Sequence, residues 1–198
     1  MTKNTVSKWL LCSVAVLLAA CAQTRPASPE SWRAQTDIAD FAADGRLAVR
    51  MNEKGSYANF DWTYQNQVQT INVNTPLGNT LGQLCEDSQG VLAVDGKGQV
   101  YQAGSAEELS ERLLGFAMPV QYLSVWANGQ WVKDAAYQLL PDGRLQQFEW
   151  TISRTLKADG TPRILLLESP KLTLRLVFDD MAPVAATGNA PGQCAARG

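Results

Sequence analysis

One cysteine stands where covalent chemistry is expected. Cys21 closes the tetrapeptide Leu18-Ala19-Ala20-Cys21, at the end of an uncharged run from Trp9 to Ala20 that follows Lys3 and Lys8. A basic start, an apolar stretch of about a dozen residues and small residues at a cut make a secretory signal, too short to span a bilayer. Small residues directly before a cysteine also match the bacterial lipobox, in which the thiol is acylated and the cysteine becomes the mature N-terminus. The alternative is an ordinary secreted chain in which Cys21 is incidental. A single acyl chain holds a membrane only marginally, at about 0.8 kcal/mol per buried methylene, so three chains would make the attachment effectively permanent.

Little other chemistry is open to the sequence. Its 198 residues contain no histidine. That removes Ser-His and Cys-His nucleophile pairs, the usual general base near neutral pH and the commonest zinc ligand. Asp61, Glu149 and Glu168 could serve a carboxylate-based hydrolase, but no spacing converges them, and no enzyme is expected. A formal charge of -2 with the signs intermixed gives no basic patch for nucleic acid. Cys12 leaves with the signal and Cys21 is spent on acylation, so only Cys85 and Cys194 could pair in an oxidising compartment.

The elements that must position any site read as follows. Residues 1–20 are the signal and 21–29 a proline-containing tether. Residues 30–181 form one domain, and 182–198, rich in alanine, proline and glycine, read as a disordered tail. A first helix is predicted over about residues 30–42, from Trp32, Ile38 and Phe41. The period then changes to two. Leu47, Val49 and Met51, and after a turn Ala58, Phe60, Trp62 and Tyr64, make a hairpin with one buried face. Ile71 and Val73 share a side of the next strand, residues 68–74. Strands over about 80–86, 91–95 and 99–102 follow. Ser105-Ala106-Glu107-Glu108 is a capping box with Leu109 and Leu113 behind it and Gly115 at the stop. Pro119 opens a second helix with Val120, Leu123 and Trp126 on one face. Strands resume over about 136–140, 144–153, 163–168 and 171–179.

Many short strands joined by tight turns, with helices inserted at one place, predict a mainly β, α+β domain: an antiparallel sheet curled around a core that helices cover. Such a sheet can enclose one lipophilic ligand. Periodicity alone does not say whether it is filled or hollow.

The segments Asp44-Gly45-Arg46-Leu47-Ala48-Val49, Phe60-Asp61-Trp62, Asn74-Thr75-Pro76-Leu77-Gly78-Asn79-Thr80, Ala106-Glu107-Glu108-Leu109 and Met118-Pro119-Val120, in that order and behind a lipobox, resemble the LolB family. Those proteins are outer-membrane lipoproteins that receive other lipoproteins. The resemblance implies an unclosed antiparallel β-barrel with a helical lid, like that of the soluble counterpart LolA, holding acyl chains in a hydrophobic cavity. It implies cargo taken from a LolA-type periplasmic chaperone and released into the phospholipid of the inner leaflet of the outer membrane, by a monomer with no cofactor and no metal. Ala22, in place of the aspartate that commonly retains lipoproteins at the inner membrane, agrees with an outer-membrane address facing the periplasm. A second reading keeps the anchor and the barrel but has another envelope lipid as cargo.

The resemblance also assigns residues. Cys21 is the lipidation site, and Pro76, Leu77 and Gly78 form the loop that passes lipid to the membrane, with Leu77 protruding. Taken from the residues alone, Leu77 either faces water in its turn or folds back on the core. The acyl-chain cavity is expected among Leu47, Val49, Met51, Phe60, Trp62, Tyr64, Ile71, Val73, Leu109, Leu113, Leu123, Trp126, Phe148, Trp150, Leu174 and Leu176, which would serve equally as a plain core. Arg46 and Arg50 fall on the opposite strand face and read as solvated charges.

Overall fold

The computed structural model describes residues 32–185 and 192–197; Cys21, the signal and the tether lie outside the described residues. In chain order the elements are β1 (Arg33–Ala34), β2 (Phe41–Met51), β3 (Lys54–Gln65), β4 (Val68–Asn74), β5 (Thr80–Asp87), β6 (Gly90–Asp95) and β7 (Val100–Ala103). Then come α1 (Ala106–Leu114) and α2 (Val120–Ala127), followed by β8 (Gln130–Trp131), β9 (Tyr137–Leu139), β10 (Leu145–Gln147), β11 (Trp150–Leu156), β12 (Pro162–Glu168) and β13 (Leu172–Pro183). No helix of the described residues is long and apolar enough to cross a membrane.

Eleven strands form one sheet in the order β7-β6-β5-β4-β3-β2-β13-β12-β11-β10-β9. Every neighbouring pair is antiparallel, so two meanders meet where the first long strand pairs with the last, β2 with β13. The edges β7 and β9 are not joined, which leaves the barrel unclosed. Both helices belong to the connection between those edges. α1 packs on β6 and β7, and α2 on β8 and β12, so together they cover the concave face. At Gly45 the strands crowd: an added Cβ would sit 2.1 Å from the Val177 carbonyl and 3.0 Å from the Phe60 ring, so only glycine fits there.

Three sequence expectations are corrected. Of the helix expected over residues 30–42, the described part, residues 32–42, is not helical. Phe41 and Ala43 are both buried and continue the two-residue alternation of β2 further back than the apolar pattern suggested, while Arg33–Ala34 pairs in parallel with β8. The strand expected over 144–153 is two strands, because Phe148, at φ 55°, turns the chain so that Gln147 faces Trp150. The tail is not wholly irregular: β13 runs to Pro183, and residues 192–197 pack on the barrel through a Cys85–Cys194 disulfide with Cys194 buried. In that segment Asp87 accepts from the Cys194 amide (2.8 Å) and from Arg197 Nε (2.7 Å).

Candidate functional site

α1 is placed by its caps. Ser105 Oγ accepts from the Glu108 amide at 3.1 Å, Glu108 Oε2 accepts from the Gly104 amide at 3.1 Å, and Gly115 ends the helix in the left-handed region at φ 80°. Between this helix, the start of α2 and the concave face of β2–β6 and β13 lies a cavity of about 290 Å³. Of the residues expected to line it, Leu47, Val49, Phe60, Trp62, Ile71, Val73, Leu109, Leu113, Leu123, Leu174 and Leu176 do so. Strand pairing explains the grouping: Leu47 opposes Leu176, Val49 opposes Leu174, Phe60 opposes Val73 and Trp62 opposes Ile71, so inward positions of adjacent strands form continuous rows.

The remaining five lie elsewhere. Trp126 is fully buried and turns its indole away from the cavity, Nε1 donating to Gln147 Oε1 at 3.1 Å. Gln147 is itself satisfied by the Val132 amide and carbonyl, making a closed polar knot beneath α2. Trp150 is buried in the second meander. Tyr64 stacks on Phe41 and borders a separate polar hollow with Gln69 and Glu86. Met51 is at the end of β2, opposite Leu172 and partly exposed. Phe148 sits in its turn, about half exposed and stacked on Tyr122 of α2 at 4.8 Å between ring centres. A non-glycine residue at positive φ costs roughly 1–3 kcal/mol, and the stack on Tyr122 helps hold it. Sequence reasoning missed Leu84, Ala93, Ser110, Met118 and Val120, which also line the cavity. Val120 carried a signal, since it shares a helix face with Leu123.

The cavity offers no reactive group. Ser110 is the one polar side chain among the lining residues, and its hydroxyl is occupied, donating to the Glu107 carbonyl (3.0 Å) and accepting from the Met118 amide (2.7 Å). Trp62 Nε1 is buried with no protein partner. Selection here is by apolar burial, worth about 25 cal/mol per Å². Of the carboxylates, Asp61 is on β3, accepting from Asn74 at 2.8 Å, while Glu149 and Glu168 belong to the other meander.

The β4–β5 loop is built to hold one side chain out. The Gly78 amide donates to the Thr75 carbonyl (2.8 Å), closing a turn with proline at its second position. Gly78 takes φ 86°, and the Thr75 amide donates to the Asn79 carbonyl at 2.8 Å, restoring the ladder. The Asn79 amide also donates to Thr75 Oγ1 at 3.1 Å. Leu77, between Pro76 and Gly78, is 90% exposed, more than any other large apolar residue described as exposed.

Residues 39–180 match the sequence model of the family described as outer membrane lipoprotein LolB. A protein of Neisseria meningitidis, "Outer-membrane lipoprotein LolB", is 53% identical over 195 residues, covering 98% of each chain. One of the same name from Chromobacterium violaceum is 32% identical over 176 residues, 87% of this chain and 97% of that one. A solved LolA superfamily protein from Nitrosomonas europaea overlaps 79% of this chain and 90% of its own at 8% identity, with a TM-score of 0.43, too remote to argue from.

Proposed function

The chain belongs to the LolB family of outer-membrane lipoproteins, and on that premise we propose that its cavity receives acyl chains of a lipoprotein brought by a LolA-type periplasmic chaperone. Its role is lipoprotein localisation, a transport role. Anchored through an acylated Cys21 and facing the periplasm, the domain takes cargo chains between the rows of β2–β6 and β13 and the two helices. Leu77 then enters the inner leaflet of the outer membrane, and the chains leave for the lipid beside it.

The observation that carries this reading is the pairing of an apolar cavity, whose single polar lining side chain is already satisfied, with a rigid loop presenting a bare leucine. Inserting Leu77 is worth about 1.5–3 kcal/mol, enough for a reversible dip and too little for an anchor. The cavity is at the lower end of the ~300–1,000 Å³ of ordinary ligand pockets, so it takes part of a triacyl anchor at a time unless the helices move.

Mass spectrometry of natively extracted protein tests the reading, because it reports the Cys21 modification and any bound species together. Triacylated Cys21 with co-extracted lipoprotein is the expected result. Another envelope lipid as the bound species would replace the cargo assignment. An unmodified Cys21 would remove the anchor.

A further inference from the structure

The outward face of β4–β7 carries an apolar strip of which only one half is covered. Outward positions follow from the ladder: Cys85 opposes Leu92, Gln83 opposes Val94 and Val94 opposes Val100; Leu81 is the extra residue of a bulge between the Val73–Gly82 and Asn74–Thr80 pairs and is exposed there. Toward the end where β5 runs into β6, Cys85 and Leu92 are 4% and 3% exposed, because Cys194 and its neighbours lie over them. Toward the end bearing the Leu77 loop the strip continues with Leu81 and Val100, each 51% exposed, and among the described residues nothing lies over them. Tyr57, on β3 two residues beyond the Asn59–Asn74 pair that ends β4, is 78% exposed at the same end. Leucine and valine left bare at one end of a sheet face, next to a stretch that the chain does cover, mark a surface with an external occupant.

We propose that this occupant is the bilayer surface, so that the membrane-contacting part of the molecule is a face running from Leu77 through Leu81, Val100 and Tyr57 rather than one loop tip. The proposal rests on the reading of Leu77 given above. Three observations favour lipid. The strip is continuous with the loop already directed at the membrane. Tyr57 has the amphipathic ring that settles at the headgroup level. Lys54 at the start of β3 and Lys97 at the β6–β7 turn flank the strip and suit an anionic surface, while nearby Asp95 is engaged by the amides of Lys97 and Gln99 at 2.9 Å each. Reach is sufficient: about eleven peptide units separate Cys21 from Trp32, roughly 36–40 Å when extended.

The test uses the mature chain from residue 21 with Cys21→Ala, so that vesicle binding reports the domain's own surface. Vesicles of phosphatidylethanolamine and phosphatidylglycerol are the probe. Tyr57→Thr/Leu81→Thr/Val100→Thr, with Leu77 intact and a thermal melt confirming the fold, should lower vesicle partitioning by about tenfold or more. An environment-sensitive dye on Val100→Cys should shift to the blue with vesicles, and one on Arg175→Cys, outward on β13, should not. If the triple variant binds vesicles like its parent while Leu77→Glu does not, the face is no membrane surface and the loop reading stands alone. If Leu77→Glu binds like the parent, the loop reading falls. A triple variant that keeps vesicle binding but loses cargo acceptance or self-association assigns the face to the chaperone or to a second copy and overturns the proposal. Equal dye shifts at both positions, or no vesicle binding by the parent, overturn it as well.

Discussion

Two ends of the same sheet face are finished in opposite ways. Where β5 meets β6, Cys85, Leu92 and Val68 are sealed by residues 192–197 through a disulfide, and the Gly192 amide donates to the Asn66 carbonyl at 2.9 Å. Asp87, inside that seal, has a side chain 1% exposed and pairs with Arg197 at 2.7 Å. At the Leu77 end the face has apolar side chains in the open and a loop held rigid by backbone bonds. The sealed end contributes stability. The bare end gives stability away by leaving leucines in water, which is tolerable only where those side chains have another use.

Breaking the seal should produce the largest effect. Replacing Cys85 and Cys194 together by serine opens a loop of 109 residues and should cost about 2–5 kcal/mol, read as a lower denaturant midpoint that reduction of the parent reproduces. Cargo transfer measured well below the melting temperature should survive, since Cys85 lies on the face of β5 opposite to Leu84, which lines the cavity.

Asp87→Asn comes next, at about 1.5–3 kcal/mol, the range for hydrogen bonds to a charged group. Burial by itself would raise the Asp87 carboxyl, but the bonds from Arg197 and from the Cys194 and Gln89 amides outweigh it and hold the group below its ordinary 3.8. A depressed folded value means stability present at neutral pH and lost as pH falls from 3.8 through the folded value. The parent's advantage over Asp87→Asn should therefore disappear in that acid range; an advantage that persisted there would contradict the assignment. Neighbouring Glu86 has the opposite sign. Burial pushes its carboxyl above 4.5 despite the Gln69 hydrogen bond, so its penalty appears as pH rises through the folded value. Glu86→Gln should stabilise at neutral pH by under about 1 kcal/mol, after screening, and leave acid stability unchanged.

The smallest stability effect belongs to the bare end. Leu77→Ala should change unfolding free energy by no more than about 0.5 kcal/mol, because the side chain has few packing partners to lose. A cost above 1 kcal/mol would mean that Leu77 packs on the barrel in solution.

Legibility in the sequence followed the same division. Alternation along β2, β3 and β13 exposed the cavity rows, since Leu47 and Val49, Phe60 and Trp62, and Leu174 and Leu176 each keep one strand face apolar, and the capping box located α1 to within a residue. Phe148 was misplaced because Gln146, Phe148, Trp150 and Ile152 alternate like a single strand; only the positive φ at Phe148 reverses the parity, and no residue type announced it. Trp126 matched the helix face of Leu123, yet its indole hydrogen finds Gln147, a partner 21 residues away. The early helix failed because Trp32 is fixed by a contact far along the chain, its Nε1 donating to the Gly143 carbonyl at 3.0 Å. The seal over Cys85 was open to guesswork from cysteine count and hidden by the composition around Cys194, where small residues look disordered until a disulfide and a buried carboxylate hold them.

The central claim, that acceptance and delivery of cargo use separate parts of the molecule, is tested most directly by Leu77→Glu in a two-step assay. The variant first receives a lipoprotein from its LolA-type chaperone and then meets liposomes. A charge is costly to carry into an apolar medium and leaves the cavity rows unaltered, so the variant should fold, accept cargo as the parent does, and fail to release it into lipid. Normal delivery by Leu77→Glu, or loss of acceptance, would contradict the account.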